Sequence, residues 1–138
     1  MSVPRCILAR KMFYHVQWLV NVKSVDFGEN GNNSNTELMF AECSRLEFVG
    51  NITAPRVTNA PSMFKDCGAL KRIGVVNMPR VMNMRQMFQN DSSLLNVCQF
   101  IVPSTAPGTG MFDGTQLGTR VYGKDGKALF ARMRLLGR

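Results

Sequence analysis

One dipeptide recurs along the chain at a fixed interval. Met-Phe stands at Met12-Phe13, Met39-Phe40, Met63-Phe64, Met87-Phe88 and Met111-Phe112. The last four copies are 24 residues apart, and the first precedes the second by 27. A period of this length over most of a chain marks stacked repeats, in which no unit buries its apolar side alone. Five of the nine Phe fall in this one context, so the repeat sets the apolar pattern.

Aligning the units on their Met exposes the columns. Four residues after it come Val16, Cys43, Cys67, Asp91 and Thr115; seven after it come Leu19, Leu46, Leu70 and Leu94. Ten after it come Val22, Val49, Ile73 and Val97, and thirteen after it Val25, Ile52, Val76 and Phe100. Pro55, Pro79 and Pro103 follow, then Val57 and Val81, with Asn59 and Asn83 two residues on. Gly, Pro or Asn interrupts each unit, which leaves no room for a long amphipathic helix. The β-branched stretch after each Leu suits one strand per unit, and the Pro ends it because it cannot donate to a ladder. The Met-Phe stretch, with polar residues behind it, suits a short helical turn on the other side of the coil.

The spacing Met-Phe-x-x-Cys-x-x-Leu-x-x-Ile, then Asn-Met-Pro-Arg-Val-Met-Asn-Met before the next Met-Phe, resembles the BspA-type leucine-rich repeats, also seen as the mycoplasma-type surface-protein repeat. The matching residues are Met63, Phe64, Cys67, Leu70, Ile73, Asn77, Met78, Val81, Asn83, Met84, Met87 and Phe88. The likeness spans about residues 12–122. Units here are shorter than the common family form, Asp91 replaces the Cys of the fourth, and Leu117 of the last falls one place early. The expected fold is an α/β repeat: a short right-handed leucine-rich-repeat solenoid of about five 24-residue rungs in a single domain. The N-terminal helical cap, residues 1–19, merges into the first rung, with a helix over 4–18. Repeats run from 12 to 122. A basic cap helix occupies 123–138, with Asp125 as N-cap and Leu129, Phe130, Met133 and Leu136 on one face.

The net charge of +8 is carried by the ends. Residues 1–23 hold Arg5, Arg10, Lys11 and Lys23 and no acid; residues 120–138 hold Arg120, Lys124, Lys127, Arg132, Arg134 and Arg138 against Asp125. Between them stand seven bases and eight acids, so the repeats are nearly neutral. Arg5, Arg10, Lys11, Arg120, Lys124, Lys127, Arg132, Arg134 and Arg138 are therefore candidate contacts for an acidic partner. The loop from Gly28 to Asn35 takes up the three extra residues of the first unit, and Asn30, Asn32, Asn33 and Asn35 form a candidate contact loop. Only Tyr122 and Phe130 interleave with the C-terminal cations, too few for base stacking, so nucleic acid is not the expected partner.

No catalytic set is visible. His15 is the single histidine and stands without a paired nucleophile; the acids are scattered and no phosphate loop occurs. The four Cys form no C-x-x-C, so neither metal nor cofactor is expected. Cys43 and Cys67 share a column; their side chains point in parallel, and buried free thiols are expected over a bridge. Met12, Met39, Met63, Met87 and Met111 belong to the repeat core, which removes the need for a methionine-lined cofactor groove. No apolar run reaches the length of a membrane span, and the three-residue apolar run before Arg10 is too short for a secretory leader. The resemblance implies a non-catalytic structural or protein-binding module. Its expected place is the surface of a phage virion, as a decoration or linking subunit on an acidic capsid or tail protein, with self-association as a further expectation. The alternative is a bacterial or protist cell-surface adhesin module made from a longer exported precursor, and a third reading is nucleic-acid binding through the basic ends.

Overall fold

The computed structural model describes residues 9–28, 34–103, 106 and 108–115. Four six-residue strands, β1 (Asn21–Asp26), β2 (Phe48–Thr53), β3 (Arg72–Asn77) and β4 (Asn96–Ile101), form one parallel sheet in sequence order. The register equals the repeat: Val22 faces Val49, Val49 faces Ile73 and Ile73 faces Val97; Val25, Ile52, Val76 and Phe100 align in the same way. The chain thus coils as a parallel β-solenoid, and the columns read from sequence are physical stacks. Leu46, Leu70 and Leu94 are fully buried, as are Met39, Met63 and Met87. Met12 is the exception in its column: in the first rung it is exposed, and Val16 and Leu19 are only partly covered.

Three expectations need correction. The described residues contain four strands and about three turns of coil, not five rungs; of the fifth Met-Phe unit they include only the turn segment. The class is β and not α/β, since no helix occurs among the described residues. The N-terminal cap helix is absent over residues 9–18, which repeat the turn pattern of later rungs; the rest of that cap and the basic helix 123–138 lie outside the described residues.

The reason is where the N–H groups go. Helix formation needs each N–H to meet the carbonyl four residues back. Here Lys11, Phe13 and His15 donate instead to Glu37, Met39 and Ala41 of the next rung, and Leu38, Phe40 and Glu42 to Pro61, Met63 and Lys65. The N–H groups between them close four-residue turns, as Met39 to Thr36 and Ala41 to Leu38. This alternation requires positive φ immediately before the Met and three residues after it. Lys11 and His15, Leu38 and Glu42, Ser62 and Asp66, Gln86 and Asn90, and finally Gly110 and Gly114 all adopt it.

For a non-glycine residue that conformation costs about 1–2 kcal/mol. Gln86 is exposed, so Gln86→Gly is expected to raise stability by about 0.5 kcal/mol, the relief being partly offset by the freer unfolded backbone of glycine. Urea unfolding checks it, and a loss of 1 kcal/mol or more would contradict the strain assignment.

Inside the turns the Phe side chains form a continuous stack. Phe13–Phe40, Phe40–Phe64, Phe64–Phe88 and Phe88–Phe112 have ring centroids 5.3, 5.3, 5.6 and 5.8 Å apart, all within 9° of parallel. Phe100 meets Phe88 and Phe112 edge-on and joins this stack to the sheet side of the core.

Candidate interaction surface

Of the site residues expected from sequence, Arg10, Lys11 and Asn35 are among the described residues. Arg10 donates from Nε to Glu37 Oε1 at 2.6 Å, and Lys11 Nζ sits 5.6 Å from the centre of the Tyr14 ring. Both cations on the first turn are therefore engaged by their own chain. Asn35 is half-buried, accepts the Glu37 N–H on its Oδ1 at 2.8 Å, and pairs by backbone with Asn59, which pairs in turn with Asn83. Its position is a stacked structural column. Arg5, Asn30, Asn32, Asn33, Arg120, Lys124, Lys127, Arg132, Arg134 and Arg138 lie outside the described residues.

The lone histidine has polar and acidic company but no nucleophile. His15 Nδ1 is 3.5 Å from Glu42 Oε1 and its Nε2 is 3.1 Å from Gln17 Nε2. Tyr14 donates to the other oxygen of Glu42, and that hydrogen bond to a carboxylate raises the phenol pKa. Among the described residues no group of His, Cys, Asp and Glu is arranged to hold a metal ion, and no helix is long and apolar enough to cross a membrane.

The cysteine column is a chain of contacts between rungs. Cys43 Sγ donates to Phe13 O at 3.2 Å and Cys67 Sγ to Phe40 O at 3.0 Å. Both thiols are free and buried, and burial raises both pKa values, which makes them poor nucleophiles. Cys98 is free and exposed, and Cys6 lies outside the described residues.

Asp91 enters this column as a fully buried carboxyl. Its Oδ1 accepts the Cys67 N–H at 2.8 Å, while Oδ2 has no partner. Burial raises its pKa well above the usual carboxylate range, the Cys67 N–H opposes the rise, and the Asp66 charge adds to it. The folded state therefore holds a proton that the unfolded chain releases near pH 4. Stability is expected to fall as pH rises from about 4 toward the folded pKa and to level off above it. Asp91→Cys, the residue of the column, removes this fall and raises stability at pH 7. It removes an unpartnered buried oxygen that costs about 1–3 kcal/mol and loses one hydrogen bond of about 1 kcal/mol. Urea midpoints from pH 4 to 8 check it, and parallel curves for the two proteins would contradict the assignment.

The outward columns hold one anomaly. Six residues after the Met stand Trp18, Arg45, Ala69 and Ser93, a small or polar set apart from the tryptophan. Trp18 is 76% exposed, the most exposed large apolar side chain among the described residues. Two residues on, exposed Val20 receives on its carbonyl the N–H groups of Glu47 and Phe48. Phe48 is exposed beside Arg72, whose Cζ lies 5.7 Å from the ring centre. Further along the axis Leu95 is 59% exposed in the column of Val20, Glu47 and Lys71. The approach to the strands thus carries a mixed strip, its apolar members Trp18, Val20 and Phe48 separated from Leu95 by Glu47 and Lys71, with Arg45 in the column of Trp18 and Arg72 in that of Phe48. Sequence reasoning passed over this strip; the signal was the one large aromatic in a column otherwise polar or small.

Comparison with protein-family models, curated proteins and solved structures yields no match to the chain.

Proposed function

We propose that this solenoid is a non-catalytic protein-binding module. The observation that carries the reading is Trp18, exposed to solvent two residues before Val20, whose carbonyl accepts two N–H groups of the next rung, with the exposed Phe48–Arg72 pair following on β2 and β3. Exposed aromatic and arginine side chains on a rigid frame are the groups that dominate protein interfaces. The frame loses little freedom on binding, which favours affinity. A photo-reactive phenylalanine analogue at Trp18 tests it in the cells that make the chain. Discrete protein adducts are expected there, and none when the same analogue replaces Met82, an exposed apolar residue of another column. Equal labelling at both positions, or none at Trp18, defeats the reading.

The place of this module on a phage virion, as a decoration or linking subunit, rests on the repeat resemblance alone. It is tested by recovery of the chain in fixed stoichiometry with purified particles. Finding it only as free monomer in infected cells would exclude that placement.

A further inference from the structure

We infer that the Trp18 strip takes an acidic protein segment that also presents an apolar side chain. The inference rests on the protein-binding reading and adds the chemistry of the partner. The strip carries three cations, Arg45, Lys71 and Arg72, and one carboxylate, Glu47. Lys71 Nζ donates to Glu47 Oε1 at 3.1 Å, so those two charges answer each other. Among the described residues Arg45 and Arg72 have no ion-pair partner, and both are exposed. They belong to successive rungs, whose strands are spaced about 4.8 Å along the axis. They also stand three columns apart, Arg45 six and Arg72 nine residues after the Met of its unit, so the two guanidinium forks are set diagonally and suit carboxylates spaced along an extended or looped acidic segment. Arg72 is held against the Phe48 ring, which orders its fork before any partner arrives.

The apolar members decide between classes of partner. Val20 and Leu95 offer methyl groups and no ring, and Trp18 and Phe48 are the strip's only aromatic side chains. A nucleic acid would gain little stacking here and would meet the Glu47 carboxylate within the strip. Two cations without an ion-pair partner also neutralise only two phosphates, too few for the usual backbone affinity. An acidic segment with an apolar anchor uses both halves of the strip.

Trp18 is the only tryptophan, so its fluorescence reports occupancy directly. The probe is a random glutamate–leucine copolymer titrated into the full chain, beside polyglutamate, a lysine–leucine copolymer and oligothymidylate. The expected result is a saturable blue shift with glutamate–leucine, at least tenfold weaker binding of polyglutamate, and no shift with lysine–leucine. Arg45→Ala with Arg72→Ala is expected to weaken glutamate–leucine binding at least tenfold with unchanged far-ultraviolet dichroism. If that pair unfolds the chain, Arg45→Lys with Arg72→Lys keeps the charge without the fork and is expected to weaken binding severalfold. A shift with lysine–leucine but not glutamate–leucine overturns the acidic chemistry and leaves the binding surface standing. Tighter binding of oligothymidylate overturns the choice of protein over nucleic acid. No shift with any probe, together with no adduct at Trp18, removes both this inference and the reading beneath it.

Discussion

Phe64→Ala is expected to cost about 3–5 kcal/mol, the range for emptying a buried phenylalanine site. Phe64 is fully buried and lies at the centre of the aromatic stack, 5.3 Å from Phe40 and 5.6 Å from Phe88. Its removal interrupts the stack and leaves a void that the rungs above and below cannot close, because backbone hydrogen bonds between the turns on both sides fix their spacing. The same change at Phe13 is expected to cost about half as much, since Phe13 is partly exposed and, among the described residues, stacks on Phe40 alone. Thermal and urea unfolding of the two variants together form the test. Equal losses would mean that the rungs do not share one stacked core, and a loss under about 1 kcal/mol at Phe64 would place the ring outside it.

The second large effect comes from a residue without a side chain. Inward residues of each strand are three apart, as in Val49 and Ile52, so the two-residue alternation of a strand is interrupted once per rung. Gly50 lies at that interruption. A Cβ there would stand 1.8 Å from the Lys23 carbonyl oxygen and 2.9 Å from its carbon, both backbone atoms held in the sheet. Gly50→Ala therefore has to push β1 from β2, and a loss of about 3 kcal/mol is expected, the upper end for forced overpacking. At Gly74, in the same column, a Cβ would meet Asn51 Oδ1 at 2.6 Å and the Gly50 carbonyl carbon at 2.8 Å, so Gly74→Ala should also destabilise. The contact at Gly68, 4.0 Å from Ser92 Oγ, leaves room for a methyl group. Gly68→Ala is thus the control, expected within about 0.5 kcal/mol of the parent. If Gly50→Ala matched this control, the close approach of the two strands would be wrong.

Much of the architecture was legible because repetition fixes register. Once Leu46, Leu70 and Leu94 share a column, the strands that follow them must pair in parallel at the same offset, and they do. The turns were not legible in the same way. Leu38 and Gln86 adopt positive φ although nothing in their chemistry favours it, because hydrogen bonds to the next rung over-determine the backbone. Gly110 and Gly114 in the last unit, with Asp66 and Asn90 in the same column as Gly114, were the available hint. The helical turn expected around Met-Phe failed for this reason: local propensity was read where contacts between rungs decide. The charge argument drew the eye to the basic ends. Yet Arg10 is paired by Glu37, while the unpaired Arg45 and Arg72 stand in columns whose sign varies from rung to rung and which no regular pattern marks.

The alternating turns have an electrical consequence. In each rung three peptide units around Met-Phe point their N–H toward the next rung and their C=O toward the previous one, as at Lys11, Phe13 and His15 and again at Ser62, Phe64 and Asp66. Their dipoles therefore add along the coil axis, as those of a helix do, while the sheet side contributes little net dipole. Partial negative charge gathers at the first rung and partial positive charge at the Met111-Phe112 turn. Arg10 and Lys11 sit on the first described turn, where a cation is favoured, so the described coil is polar along its axis and its first and last turns differ in field even where they look alike.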